Sequence, residues 1–150
     1  MMPDAARLVA AISLAFVGFI LSGLVMQVYE TEIAETNFGW FIHVNVVLGI
    51  LVGWISMGKR AGRGVSAAVT NGVTGVFLLV MWGLFIQSCN EMTRLAMKNR
   101  YDGPFEAIAA IFNIGAEWGI LILTGPILGT MAVGAFVCGI LTEYAWRTWR

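Results

Sequence analysis

VSAAVTNGVTGVFLLVMWGLFIQ, at residues 65–87, runs without a break into SCNEMTRLAMKNRYDGPFE, at residues 88–106, and this stretch decides the fold. The first part is apolar and long enough to cross the roughly 30 Å hydrocarbon core of a bilayer as a helix. The second part carries a dense mixture of charged, amide and thiol side chains. The stretch therefore predicts a membrane-spanning helix that continues into a polar segment.

The composition of the whole chain agrees with a membrane protein. Of its 150 residues, 59% are hydrophobic and 12% are charged, and soluble domains carry about twice that share of charge. A formal net charge of zero argues against a nucleic-acid partner, which needs a basic surface. We therefore expect one integral membrane domain over residues 1–150, an all-α polytopic transmembrane helical bundle with the lipid bilayer as its surroundings.

The apolar stretches predict where the helices lie. We expect helices at about residues 5–28, 38–57, 65–99, 104–123 and 127–146. Residues 107–143 are too long for one upright span, and Gly125-Pro126 divides them. Four full spans are favoured, and five helices are possible because the last two need not both cross.

Charge between the spans predicts the orientation. Arg7 lies on the same side as the basic turn MGKRAGRG at residues 57–64, which contains Lys59, Arg60 and Arg63. The acidic connector at residues 29–37 lies on the other side. Because basic loops stay in the cytoplasm, the amino terminus is expected to be cytoplasmic. The same rule leaves the side of the carboxyl terminus open.

One polar stripe interrupts the apolar helix at 104–123. At 100° per residue its members fall within about 40° of one another; they are Glu106, Asn113, Glu117 and Thr124. A carboxylate at a bilayer centre costs about 2.5–3.5 kcal/mol, so it usually faces a protein interior or a cavity. Glu117, aided by Asn113, is a candidate for proton or ion handling. The alternative, which we favour, is a structural carboxyl group that pairs with Arg94, Lys98 or Arg100, or packs against another helix.

A second polar group follows the third span. Gln87, Glu91, Arg94 and Lys98 are spaced four, three and four residues apart and are expected to share one helical face. The cations suggest an oxyanion site, but nearby carboxylates neutralise them, and an internally paired, solvated face is favoured. His43 and Asn45 are expected to lie shallow in the second span, where a lone histidine is usually an interfacial residue.

Motifs for catalysis or metal binding are missing from the sequence. It has no nucleophile–base set and no dinucleotide-binding fingerprint. His43 is the only histidine, and Cys89 and Cys138 do not have the spacing of metal ligands. We therefore expect no enzyme activity, no metal site and no cofactor.

Four blocks of sequence carry a resemblance to a known family. They are PDAARLVAAI at 3–12, WFIHVNVVLGILVGW at 40–54, MGKRAGRG at 57–64 and GLFIQSCNEMTRLAMKNRYDGPFEA at 83–107. The chain resembles the TrgA family, small inner-membrane proteins of alphaproteobacteria that are associated with tellurite resistance. The resemblance implies a bacterial inner-membrane protein whose loss affects tolerance of the tellurium oxyanion. It supplies no binding residues.

Three hypotheses about function remain at this point. The first is a tellurite-resistance membrane protein of unknown mechanism. The second is a small proton- or ion-coupled transporter or channel, formed as a homo-oligomer, that uses the Glu117 stripe. The third is an accessory or assembly protein that docks another membrane protein through residues 87–106.

Overall fold

The computed structural model describes residues 3–32 and 40–149, and these form an all-α bundle. Its helices are α1 (Pro3–Glu32), α2 (Phe41–Val52), α3 (Val65–Ala96), α4 (Pro104–Ile122) and α5 (Gly125–Thr148). A π-helical turn, Gly53–Met57, and a 3-10 turn, Gly58–Arg60, prolong α2. With this extension counted, all five helices are long and apolar enough to cross a membrane. The predicted fold class is confirmed, and the chain is a multi-pass membrane protein.

Most helix boundaries differ from the predicted ones by one to five residues, and three of these differences are described here. Helix α1 covers four more residues at its carboxyl end than the predicted 5–28. Helix α3 ends at Ala96 instead of residue 99, because the chain turns there and Asn99 has a φ of 52°, which asparagine tolerates. Helix α5 begins at Gly125, so Pro126 lies in its first turn, where a missing N–H costs little. The acidic connector falls mostly outside the described residues.

Helices α1 and α2 pack antiparallel through glycines. A Cβ atom on Gly49 would lie 2.7 Å from the Cα atom of Ala15, and one on Gly53 would lie 2.6 Å from the Cα atom of Ala11. Small residues let membrane helices approach this closely, and the contact compensates for the lack of a hydrophobic driving force within lipid. Leu14, on the same side of α1, is completely buried.

Helices α3 and α5 also cross at glycines. Gly72 faces the carbonyl oxygen of Ala135, and Gly139 faces that of Ala68, with no room for a Cβ atom at either glycine. Residue numbers rise along α5 as they fall along α3, so the two helices are antiparallel. This contact lies in the first half of α3.

Helix α4 packs on the second half of α3. A Cβ atom on Gly115 would lie 3.1 Å from Ser88 Oγ, and one on Gly119 would lie 3.9 Å from Leu84 Cδ1. Helices α4 and α5 therefore both run antiparallel to α3, one after the other, as a single return path. The 32 residues of α3 extend about 48 Å, too short to place α4 and α5 both fully across a 30 Å core. This arrangement favours four passes over five.

The carboxyl end of α5 is attached to the basic turn. The Glu143 carboxylate accepts hydrogen bonds from the backbone N–H groups of Gly62 (2.7 Å) and Gly64 (3.2 Å) and from Arg147 Nε (3.2 Å). Gly62 and Gly64 have φ values of 91° and 101°, which favour glycine. The carboxyl end of α5 thus lies on the side of the basic turn, whereas the charge pattern did not indicate a side for the end of the chain. We call this end of the bundle the basic end and the opposite one the open end.

Candidate functional site

A cavity of about 530 Å³ lies between the helices towards the open end. All five helices contribute to its lining, for example Leu21 of α1, Phe41 of α2, Leu79 of α3, Trp118 of α4 and Met131 of α5. Small-molecule sites usually measure about 300–1,000 Å³ and have mostly apolar walls. The cavity therefore has the size and surface of a ligand site.

The floor of the cavity is a polar contact among three helices. Asn45 Nδ2 donates a hydrogen bond to Ser22 Oγ (2.9 Å), and Ser22 Oγ donates one to the carbonyl oxygen of Gly18 (2.6 Å). On the other side, a Cβ atom on Gly83 would lie 3.2 Å from Asn45 Oδ1. The Asn45 side chain thus joins α1 and α2 and lies against the backbone of α3.

An apolar layer lies on the basic-end side of this floor. A Cβ atom on Gly75 would lie 3.2 Å from Met57 Sδ and 3.7 Å from Leu14 Cδ2. Met57 and Leu14 are both 0% exposed. Because these side chains fill the centre of the bundle, the cavity is closed in that direction.

Gln87 extends the polar surface along the cavity wall. Its side chain lines the cavity, the residue is 8% exposed, and the amide has no hydrogen bond to another described residue. A buried amide is costly unless water or a ligand satisfies it. Gln87 is therefore the group in the lining that is best placed to bind a polar atom.

The Glu91–Arg94 ion pair lies nearer the mouth of the cavity. Arg94 Nε donates a hydrogen bond to Glu91 Oε2 (2.8 Å), and Arg94 Nη2 binds the other carboxylate oxygen. Both residues line the cavity, as Gln87 does, whereas Lys98 lies exposed in the turn after α3. Three members of the predicted polar face thus line one site, and their charges compensate each other.

The predicted stripe on α4 lies elsewhere. Glu106, Asn113 and Glu117 are exposed on the outside of the bundle, and Thr124 lies between α4 and α5 with its hydroxyl buried and unbonded. Within the described ranges, Glu117 has no hydrogen bond or ion pair. The suggested pairing with Arg94, Lys98 or Arg100 is not present, because α4 faces the cavity with its next residue, Trp118.

The other predicted polar residues are spread over the molecule. Lys59, Arg60 and Arg63 are exposed at the basic end. His43 is exposed and meets the ring of Trp40 edge-on, with 5.3 Å between the ring centroids. Sequence reasoning missed the contact between Ser22 and Asn45, because nothing in the spacing of two separate helices shows which polar groups meet. The sequence did show that Ser22 and Asn45 are isolated polar side chains in apolar spans, and such residues often contact each other.

The described residues were also compared with the requirements of a metal site. Residues 3–32 and 40–149 contain no group of three metal-binding side chains, and Cys89 and Cys138 are free thiols. Comparisons with protein-family models, curated proteins and solved structures found no match. The resemblance to the TrgA family therefore rests on the four sequence blocks.

Proposed function

We propose that this chain is a bacterial inner-membrane protein that supports tolerance of the tellurium oxyanion, and that it does so as a non-catalytic accessory to another membrane protein. The four sequence blocks support the first part. The longest block, residues 83–107, contains the second half of α3 and the first turn of α4. It therefore includes both the mouth of the cavity and the start of the polar stripe.

The observation that carries the accessory role is the outer surface of α4. Asn113 and Glu117 are exposed there beside Phe112 and Ile120, which are 69% and 70% exposed. A carboxylate that faces lipid without a partner is costly, and a polar or helical partner removes that cost. A second membrane helix covering this surface would satisfy both its apolar and its polar groups.

The interior of the bundle supports an accessory role over a pathway through one chain. The cavity is closed by the layer that contains Leu14 and Met57, both fully buried. A transporter or channel built on Glu117 would thus need a pathway between copies of the chain. Ala109 and Ala116, exposed on the same helix, are small enough for a second copy to approach closely. This oligomeric transporter is the second candidate function.

Growth on tellurite tests the proposal. A strain that lacks this gene is complemented with the wild type, Glu117→Gln or Asp4→Asn, all at equal levels in the membrane. Asp4 is an exposed acid at the other end of the bundle and serves as the matched control. We expect the wild type and Asp4→Asn to restore tolerance and Glu117→Gln to fail. Unchanged tolerance in the deletion strain would refute the tellurite role, and full rescue by Glu117→Gln would refute the role of this surface.

Cysteine cross-linking separates the two candidates. Ala116→Cys, in a chain whose native cysteines are replaced by alanine, places one thiol on the stripe side of α4. Oxidation in native membranes gives a disulfide-linked dimer if a second copy lies there. An accessory protein that docks a different partner gives no dimer, while Glu117→Gln still loses tolerance.

The proposed orientation places the amino terminus, the basic turn and the carboxyl terminus in the cytoplasm. In the chain whose native cysteines are replaced by alanine, Arg60→Cys, Trp149→Cys and Met97→Cys put single thiols at exposed positions on the two ends. In spheroplasts, we expect a membrane-impermeant maleimide to label only Met97→Cys. Labelling of Arg60→Cys instead would reverse the orientation, and labelling of both Trp149→Cys and Met97→Cys would contradict a shared side for the basic turn and the carboxyl terminus.

A further inference from the structure

The cavity has a more specific chemistry than its size alone suggests. Its walls are mostly apolar, and its polar surface consists of amide and hydroxyl groups, with one ion pair at the mouth. Burying a charged molecule requires a compensating charge. Arg94, the cation of the lining, is already held by Glu91 through both carboxylate oxygens. The lining therefore disfavours an oxyanion and suits a neutral molecule.

The position of Gln87 indicates how such a molecule would be held. The residue is 8% exposed, its side chain lines the cavity, and its amide has no hydrogen-bonding partner among the described residues. An amide of this kind donates to a carbonyl oxygen or accepts from a hydroxyl group. Aromatic side chains at Phe41 and Trp118 and aliphatic ones at Leu21 and Ile122 surround the same space. They offer an apolar surface to the rest of the ligand.

We propose that the cavity binds a neutral, membrane-soluble amphiphile whose carbonyl or hydroxyl oxygen is hydrogen-bonded by the Gln87 side chain. An isoprenoid quinone and a neutral glycerolipid both have this chemistry, and the experiment below distinguishes them. The body of the ligand lies against Trp118 and Ile122, on the inner side of α4. The site is independent of the exposed Glu117 surface, so the inference does not rest on the tellurite proposal.

Photo-crosslinking of the full chain in phosphatidylcholine nanodiscs tests the site. The two probes are a short-chain azido-ubiquinone and a monoacylglycerol with a diazirine in its acyl chain. Each is competed with its unlabelled counterpart, decylubiquinone or monoolein, and the modified residues are mapped by mass spectrometry. We expect one probe to label cavity residues such as Trp118, Ile122 or Met131 in a reaction that its competitor suppresses. The successful probe identifies the source of the ligand.

Three variants show whether Gln87 and the cavity itself are responsible. At probe concentrations below saturation, Gln87→Leu should lower specific labelling about tenfold, because it keeps the volume and removes a buried hydrogen bond. Asn113→Leu makes a similar change on the outside of the bundle and should leave labelling unchanged. Ile122→Trp fills the cavity from α4 and should abolish labelling even if Gln87→Leu does not fold.

Two results would overturn the proposal. One is labelling by both probes that is confined to outward side chains such as Phe112 or Val133, or that no competitor suppresses. The other is specific labelling of the cavity that persists unchanged in both Gln87→Leu and Ile122→Trp. Neither result would bear on growth with tellurite, so failure of this inference is distinguishable from failure of the proposed function.

Discussion

Two buried polar residues, Glu143 at the basic end and Gln87 at the open end, differ in how they are hydrogen-bonded. At the basic end, Glu143 is 4% exposed and its carboxylate receives three hydrogen bonds, two of them from the turn between α2 and α3. At the open end, Gln87 is almost as deeply buried, yet its amide lines a cavity and has no described partner. From this contrast we expect substitutions of Glu143 to lower stability and substitutions of Gln87 to alter binding.

A substitution in the helix packing at the basic end is expected to lower the free energy of unfolding the most. Gly139 lies against the carbonyl oxygen of Ala68, so Gly139→Leu must force α3 and α5 apart. We expect it to lower the free energy of unfolding by about 3 kcal/mol, at the upper end of the usual cost of overpacking. Thermal unfolding in maltoside detergent, followed by circular dichroism, measures the loss.

Gly129→Leu is the matched control for that substitution. Gly129 lies in the same helix, and no heavy atom lies within 4 Å of the position its Cβ atom would occupy. The control should leave stability unchanged or raise it slightly, because leucine is a better helix former than glycine. Equal melting of the two variants would show that the close contact between α3 and α5 does not stabilise the basic end.

Loss of the hydrogen bonds to Glu143 is expected to lower the free energy of unfolding by an intermediate amount. Glu143→Ala leaves the N–H groups of Gly62 and Gly64 without their acceptor, and we expect it to lower the free energy of unfolding by about 2 kcal/mol. Amide hydrogen exchange in the basic turn should become faster in the same variant. Glu117→Ala removes a carboxylate without a described partner and should not destabilise the isolated chain. If Glu117→Ala lowered the free energy of unfolding more than Glu143→Ala does, the proposed difference between the two carboxylates would be wrong.

The fold was largely predictable from sequence, because each span must satisfy its own backbone within lipid and is therefore a continuous apolar helix. The arrangement of the last two helices was harder to predict from the sequence. Gly125-Pro126 correctly indicated a break nearby, but the shared direction of α4 and α5 depends on contacts such as Gly115 with Ser88 and Gly139 with Ala68. Such contacts between distant glycines and small residues have no signature in the local periodicity.

The site was predictable only in part, for the same reason. Helical spacing placed Gln87, Glu91 and Arg94 on one face, and all three line the cavity. The same rule placed Asn113 and Glu117 on one stripe, but periodicity cannot tell whether a stripe faces the bundle or its surroundings. In this structure it faces outward. Sequence periodicity thus identifies residues that lie on one side of a helix more reliably than it identifies what they contact.

The ion pair at the mouth of the cavity gives the smallest expected effect on stability. Glu91 and Arg94 form an i,i+3 pair near the surface, and Arg94 is 45% exposed. Pairs of this kind contribute about 0.5 kcal/mol or less, so Glu91→Gln should hardly change thermal unfolding. If it destabilised the chain as much as Glu143→Ala, the open end would depend on its polar groups for stability as the basic end does.

Ligand binding to the Glu91→Gln variant tests how charge at the mouth affects the cavity. The substitution removes a negative charge from the mouth and leaves Gln87 and the apolar walls in place. A neutral ligand should bind within about twofold of its wild-type affinity, because no charge–charge interaction is lost, whereas an anion should bind several-fold more tightly. Competition of the photoreactive probe by decylubiquinone, monoolein and oleate measures all three in one assay. A gain confined to oleate would show that Glu91 excludes anions from the cavity, whereas an equal gain for all three competitors would contradict this role of its charge.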